Sequence, residues 1–137
     1  MYLFDASSIL NLIKRGLVTP LADGLTLDLA LYECLNAIWK EYKLLKKLKE
    51  DIALEYVDIV ADLFKSMNIS SIKGFEKEVF KLADKEELTI YDASYLYLAK
   101  VKNLVLVTDD RKLREKASKY VKTLASKDIE KKYKQIL

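Results

Sequence analysis

The sequence predicts an α/β fold built on a parallel sheet, and two features carry that prediction. Short strand-like apolar runs alternate along the chain with long stretches of three-and-four helical spacing, the pattern of strands joined by crossover helices. Acids stand directly after the first of these runs, at Asp5, and one residue beyond the clearest, at Asp109 and Asp110. The carboxyl ends of parallel strands are where such sheets receive ligands.

Tyr2 to Phe4 reads as the first strand, ending at Asp5. Ser7 or Ser8 caps a helix from about Ile9 to Arg15, which Gly16 stops. Pro20 to Gly24 is expected as loop and Leu25 to Leu27 as a short strand. A long helix follows from Asp28 to about Lys47, with Leu31, Leu35, Ile38, Tyr42 and Leu45 as one buried stripe. Asp51 to Ser66 is a further helix, and Met67 to Ile69 a third strand. Gly74 precedes a helix over Phe75 to Glu86, and Thr89 opens one that ends near Lys102. Leu104 to Val107 is the clearest strand, followed by a short helix through Lys116. Val121 to Leu124 closes the sheet, and a basic helical tail completes the chain. No repeat or linker interrupts this order, so residues 1–137 are expected to form a single domain.

Composition removes several chemistries. The chain has no histidine, which excludes Ser/His/Asp catalysis, HExxH zinc sites and two-histidine RNA transesterification. Its three glycines include no phosphate-cradling spacing. Cys34 is the only cysteine, so no internal disulfide forms, and a small buried hydrophobe is the simpler reading of it. No apolar run is long enough to span a bilayer, and Asp5 comes too early for a signal peptide. A cytoplasmic protein without membrane contact is therefore expected. Net charge is +3, but from Lys112 onward nine Lys/Arg face three acids, leaving the first 111 residues at −3. A basic C-terminal third beside an acid-bearing body suits a polyanion held near a cation site, although a solvated lysine-rich surface gives the same count.

Four segments carry a family resemblance. The opening Leu3-Phe4-Asp5-Ala6-Ser7-Ser8-Ile9-Leu10 resembles the start of PIN domains, and Glu33-Cys34-Leu35-Asn36-Ala37 is similar to their helical E-x-x-N motif. The stretch from Leu88 to Ala99, with Thr89, Tyr91, Asp92 and Ala93, matches the family's L-T-x-Y-D-A helix start, the most specific of the four. Leu106-Val107-Thr108-Asp109-Asp110-Arg111-Lys112-Leu113 resembles L-V-T-x-D-x-x-L. The four occur in family order and span nearly the whole chain.

The resemblance implies a three-layer α/β/α sandwich with a parallel sheet of order 3-2-1-4-5. It implies a ribonuclease of the VapC toxin type, in which Asp5, Glu33, Asp92 and Asp110 hold Mg²⁺ or Mn²⁺ and a metal-activated water hydrolyses RNA. Ser7 and Thr108 would hydrogen-bond the acids or bound water, Asn36 would help orient the site, and Asp109 would substitute or assist. It further implies a cognate VapB-type antitoxin and a homodimer. The residues agree independently with a hard cation, because oxygen ligands select Mg²⁺ or Mn²⁺ and the nitrogen and sulfur ligands of zinc are missing.

Each acid also has a plainer reading. Thr89 and Asp92 fit a capping box, Asp109 or Asp110 would cap the next helix, and Glu33 would be an exposed helical glutamate. Asp5 has no such explanation on this reading. The tyrosines at 42, 91, 95 and 97 are assigned to packing rather than to base stacking, and Trp39 to the core or a dimer interface. Two other classes compete with the enzyme. One is a non-catalytic PIN-like RNA-binding or scaffold module, and the other a receiver-like phosphoacceptor, which lacks here the acidic pair it needs after the first strand.

Overall fold

The computed structural model describes residues 1–136, with side chains as far as Lys134. Strands β1 (Tyr2–Phe4), β2 (Leu25–Leu27), β3 (Asn68–Ser70), β4 (Val105–Val107) and β5 (Thr123–Leu124) form one sheet. Its order is β3-β2-β1-β4-β5 and every neighbouring pair is parallel, as the resemblance implied. Successive strand residues point to opposite faces, yet Leu3 and Phe4, and Leu106 and Val107, are all fully buried. Both faces of the sheet centre are therefore covered by helices, as parallel sheets require.

Those helices are α1 (Ala6–Lys14), α2 (Thr19–Ala22), α3 (Leu29–Trp39), α4 (Glu50–Ser66), α5 (Glu76–Glu86), α6 (Ile90–Lys102), α7 (Arg111–Ala117) and α8 (Ser126–Ile136). None of the described helices is long and apolar enough to cross a membrane. Gly24, which leads into β2, lies so close to the Phe4 ring that an added Cβ would sit 2.6 Å from it. This contact sets how closely the segment approaches β1.

Several expected boundaries move, for physical reasons. The Pro20 segment holds a one-turn helix rather than a loop, with the proline in the first turn where its missing N–H costs nothing. The long helix after β2 is regular only to Trp39, continues as a π turn over Lys40–Leu44, and stops before Lys47. The buried stripe of α3 is Ala30, Cys34 and Ile38, small residues first, because α3 packs against both α1 and α4. Leu31, Leu35 and Tyr42 are half-buried on its flank, and Leu45 is 57% exposed. Trp39 is 49% exposed and so is not a core residue. β3 runs one residue further along the chain than expected, and β5 keeps only the last two residues of its predicted run.

Candidate functional site

The pairing of β1 with β4 sets Phe4 against Val107, so the next residues, Asp5 and Thr108, emerge side by side at the carboxyl edge. The Asp5 amide donates to Val107 O at 3.1 Å, extending the ladder to the acid itself. Asp5 is 5% exposed and takes three hydrogen bonds on its carboxylate. Ser7 Oγ donates at 2.7 Å, the Ser8 amide at 3.0 Å, and Thr108 Oγ1 donates to the second oxygen. The Ser8 bond makes Asp5 the N-cap of α1, a role the sequence reading gave to Ser7 or Ser8. Asp5 wins because its side chain reaches the amide three residues on while its own backbone is still extended. Burial pushes the Asp5 carboxyl above its usual range, the hydrogen bonds from Thr108, Ser8 and Ser7 working against it.

Both serine and threonine hydroxyls here have a second duty. Ser7 Oγ accepts from the Asp109 amide at 3.0 Å, and Thr108 Oγ1 accepts from the Asp110 amide at 3.1 Å. Each hydroxyl spends its single proton on Asp5 and its lone pairs on the turn after β4. The two thus tie the ends of β1 and β4 into one rigid edge.

Asp109 and Asp110 separate at this point. The Asp109 carboxylate turns away from the other acids and accepts from Asn11 Nδ2 at 2.6 Å, Ser126 Oγ at 2.6 Å and the Ser126 amide at 2.8 Å. Burial raises its pKa, but these donors and the Arg15 charge outweigh it, and the net shift is downward. Asp109 is a bracket between α1 and the start of α8, not a member of the acid group. Asp110 caps α7 by accepting from the Leu113 amide at 3.0 Å, and its charge is also felt at Asp92. A cap and a place among the acids coexist in this residue.

The other two acids come from helices. Glu33, half-buried one turn into α3, accepts from Tyr95 Oη at 2.8 Å. Its pKa is raised chiefly by burial, then by the charges of Asp5 and Asp92, with the Tyr95 bond opposing. Asp92 lies in the first turn of α6 and is pushed up to about 6 by burial and by the charges of Asp110 and Asp5, with Lys112 opposing. Thr89 does cap α6, accepting from the Asp92 amide at 3.1 Å. Among the described residues, however, the Thr89 amide makes no reciprocal donation to the Asp92 carboxylate, so only half of the expected capping box forms.

Asp5, Glu33, Asp92 and Asp110 are therefore close enough for their charges to oppose one another. Their donors are all carboxylate oxygens, and nearby Lys112 supplies positive charge that only partly offsets them. This donor chemistry fits a hard divalent cation. Among the described residues no three acids stand close enough to hold an ion as they are placed. They form no closed cage, and of the four Glu33 opens onto a cleft of about 520 Å³ lined also by Leu29, Tyr32 and Tyr91. Asn36, one turn after Glu33, opens onto the same cleft.

Sequence reasoning missed Tyr95, which was assigned to packing alone. It is in the core at 1% exposed and also positions Glu33. Its spacing of three from Asp92, the same as Asn36 from Glu33, was the available signal. Asn11 and Ser126, partners of Asp109, gave no comparable signal. Cys34 is fully buried and its thiol is pushed up to about 12 by burial and by the Glu33 and Asp5 charges, which makes it unreactive. In the basic third, Arg114 donates to Thr108 O at 3.0 Å and Lys116 to Glu86 O. Both are committed to the fold, and Lys112 alone of the three borders the acids.

A 3-2-1-4-5 parallel sheet with carboxylates gathered where its two central strands end defines an acid-edged α/β domain. The chain belongs to the PIN-domain family, whose pattern it matches over residues 2–119. It is 40% identical over 91 residues to "Ribonuclease VapC3" of Pyrobaculum aerophilum, covering 66% of this chain and 69% of that protein. It is 39% identical over 90 residues to "Exonuclease VapC9" of the same organism, covering 66% of this chain and 64% of that one, just under two thirds. The crystal structure of PAE2754 from Pyrobaculum aerophilum superposes with a TM-score of 0.77 at 30% identity, over 93% of this chain and 92% of that one. A chain in the crystal structure of VapBC2 from Rickettsia felis bound to a DNA fragment from their promoter shares the fold, with a TM-score of 0.58 at 15% identity over 90% and 97% of the two chains.

Proposed function

We propose that this protein is a metal-dependent ribonuclease of the VapC toxin type, its 137 residues acting as one PIN domain in the cytoplasm. The observation that carries the reading is the gathering of Asp5, Glu33, Asp92 and Asp110, where burial first and then the charges of Asp110 and Asp5 push Asp92 up to about 6 and Lys112 offsets them only in part. Nuclease names on relatives at about 40% identity support the reaction class.

Asp5, Glu33, Asp92 and Asp110 would hold Mg²⁺ or Mn²⁺. Such a cation, when bound, lowers the pKa of water and polarises a phosphodiester oxygen. Ser7 and Thr108 fix both oxygens of Asp5, so this acid presents one orientation to the cleft. Tyr95 fixes one oxygen of Glu33 and leaves the other for the site. Lys112, exposed beside Asp92, meets the phosphate chain of RNA. A VapB-type antitoxin as partner and a homodimer as the assembled form belong to the same reading, the first supported by the VapC names of the relatives. The test is cleavage of labelled single-stranded RNA by the full chain with Mg²⁺, with Mn²⁺ and with chelator. Metal-dependent cleavage is expected. Metal binding with no cleavage of any RNA, or no binding at millimolar metal by calorimetry, would leave a non-catalytic PIN-like module instead.

A further inference from the structure

The structure divides Tyr91 from Tyr95, which sequence spacing had grouped as packing residues, and sets Tyr32 with Tyr91. Tyr95 is 1% exposed, whereas Tyr32 is 73% and Tyr91 61% exposed. Burying a large apolar side chain is worth about 1.5–3 kcal/mol, so two rings left in water beside the acids call for an explanation. Both line a cleft of about 520 Å³ with Leu29, Glu33 and Asn36. The two rings come from different helices, α3 and α6, and Glu33 lines the cleft between them, so the cleft reaches the acid group through that carboxylate. The rings do not pack on each other: the ring pairs in contact among the described residues are Tyr2 with Phe4 and Phe75 with Tyr97. Among those residues neither hydroxyl, nor the exposed Asn36 amide, has a hydrogen-bond partner.

We propose that Tyr32 and Tyr91 wall a base-binding pocket that stacks an unpaired nucleobase of single-stranded RNA while the adjoining carboxylates face its phosphate, with Asn36 hydrogen-bonding the base edge. The identity of the ligand rests on the ribonuclease reading above. The volume lies within the range of small-ligand pockets, about 300–1,000 Å³, and has room for one nucleotide. The cleft wall offers π faces, an amide and a carboxylate but no cation, so it suits a base and repels a phosphate. The phosphate is left to Lys112 and to the cation that the four acids would hold. A base inside a duplex has both faces covered by its neighbours, so the pocket selects unpaired RNA.

The test uses the full chain, a labelled single-stranded RNA, and the same strand annealed to its complement. Binding is measured in metal-free buffer and cleavage with Mg²⁺. Tyr32→Ala and Tyr91→Ala are each expected to weaken single-strand binding about tenfold, the Phe variants to recover most of it, and the duplex to bind poorly to all. Both rings are exposed, so melting temperatures should stay near wild type. In the wild-type protein, an abasic position moved along the RNA should depress cleavage of one adjacent phosphate, and that dependence should vanish in the Ala variants. Aromatic-dependent binding without metal-dependent cleavage keeps the pocket and removes only the ribonuclease reading. Cleavage that ignores the abasic position and both Ala variants overturns the pocket and leaves the enzyme. Ala variants that alter the sedimentation of the protein but not RNA binding overturn it in favour of a protein interface.

Discussion

At the ends of β1 and β4 the carboxylate of Asp5 takes three hydrogen bonds, from Ser7, Ser8 and Thr108. On the helix side the Glu33 carboxylate takes one, from Tyr95, and among the described residues the Asp92 carboxylate takes none. Burial raises the pKa on both sides, but neutral donors offset it at Asp5, whereas at Asp92 the next contributions are the charges of Asp110 and Asp5, which add to it. The strand side is therefore held by backbone and hydroxyl geometry that exists whatever occupies the cleft. The helix side is offset only in part, by Lys112 at Asp92 and by Tyr95 at Glu33, and gains most from an added positive charge. Structural rigidity and electrostatic vacancy are assigned to different halves of one site.

The sharpest way to break this contrast is to remove one charge from each half. Asp5→Asn and Asp92→Asn are both expected to reduce Mg²⁺-dependent RNA cleavage to background, since each deletes an anionic oxygen from the proposed cation site. Their folding should differ from the Ala variants in one place only. Asp5→Ala also removes the N-cap of α1 and should cost about 0.5–2 kcal/mol, whereas Asp92→Ala removes no cap bond. Full cleavage in both Asn variants would sink the four-carboxylate site.

Adjacent residues repeat the contrast on a smaller scale. Asp109→Ala strands Asn11 Nδ2 and the Ser126 amide and hydroxyl, and should destabilise the fold by about 1–3 kcal/mol while leaving the acids in place. Asp110→Asn keeps a competent cap for α7 but loses its charge from the group, so activity should fall with little change in denaturant midpoint. Equal stability losses in the two variants would mean that Asp109 is not the bracket described.

Much of this was legible in the sequence, and the limits are instructive. The elements were readable because strand-like runs and helical spacing are local, whereas the sheet order is a long-range property that only the family resemblance implied. The grouping of Asp5, Glu33, Asp92 and Asp110 rested on the four family motifs that carry them. The separate fates of Asp109 and Asp110 were not readable, because Asp109 is decided by Asn11 and Ser126, which are far from it in sequence. The inward face of α3 was misplaced because Leu31 and Leu35 outweigh Ala30 and Cys34 in any hydrophobic count, while packing against α1 favours the smaller pair. The capping role of Asp5 was missed because a strand-end acid and a helix cap compete for one residue, and here both hold.

Tyr95→Phe sharpens the helix side without touching a carboxylate. Loss of the bond to Glu33 should lower cleavage about tenfold, as for residues that orient metal ligands, and cost about 1 kcal/mol of stability. Because Glu33 keeps its charge, the fall should come with weaker Mg²⁺ binding. A drop in stability with unchanged metal affinity would make Tyr95 a core residue only.

The smallest effect is a pH dependence that isolates Asp92. Its carboxyl is raised from 3.8 to about 6 in the folded protein, so between those values the folded state keeps a proton that the unfolded chain has released. Below 3.8 both states are protonated and the residue costs nothing. As pH rises through the window, folding is progressively penalised, and the penalty is complete above about 6. In metal-free buffer the melting temperature of Asp92→Asn relative to wild type should therefore climb between pH 4 and pH 7 and then level. The Asp92 charge also contributes to the rise at Glu33, so the difference between the two melting curves reports on Asp92 together with its coupling to that neighbour. Saturating Mg²⁺ should reverse the sign at pH 7, because the wild type then gains binding free energy that the variant lacks. A difference that stays flat across the window would show that the helix-side acid does not feel its neighbours, and the contrast between the two halves of the site would collapse.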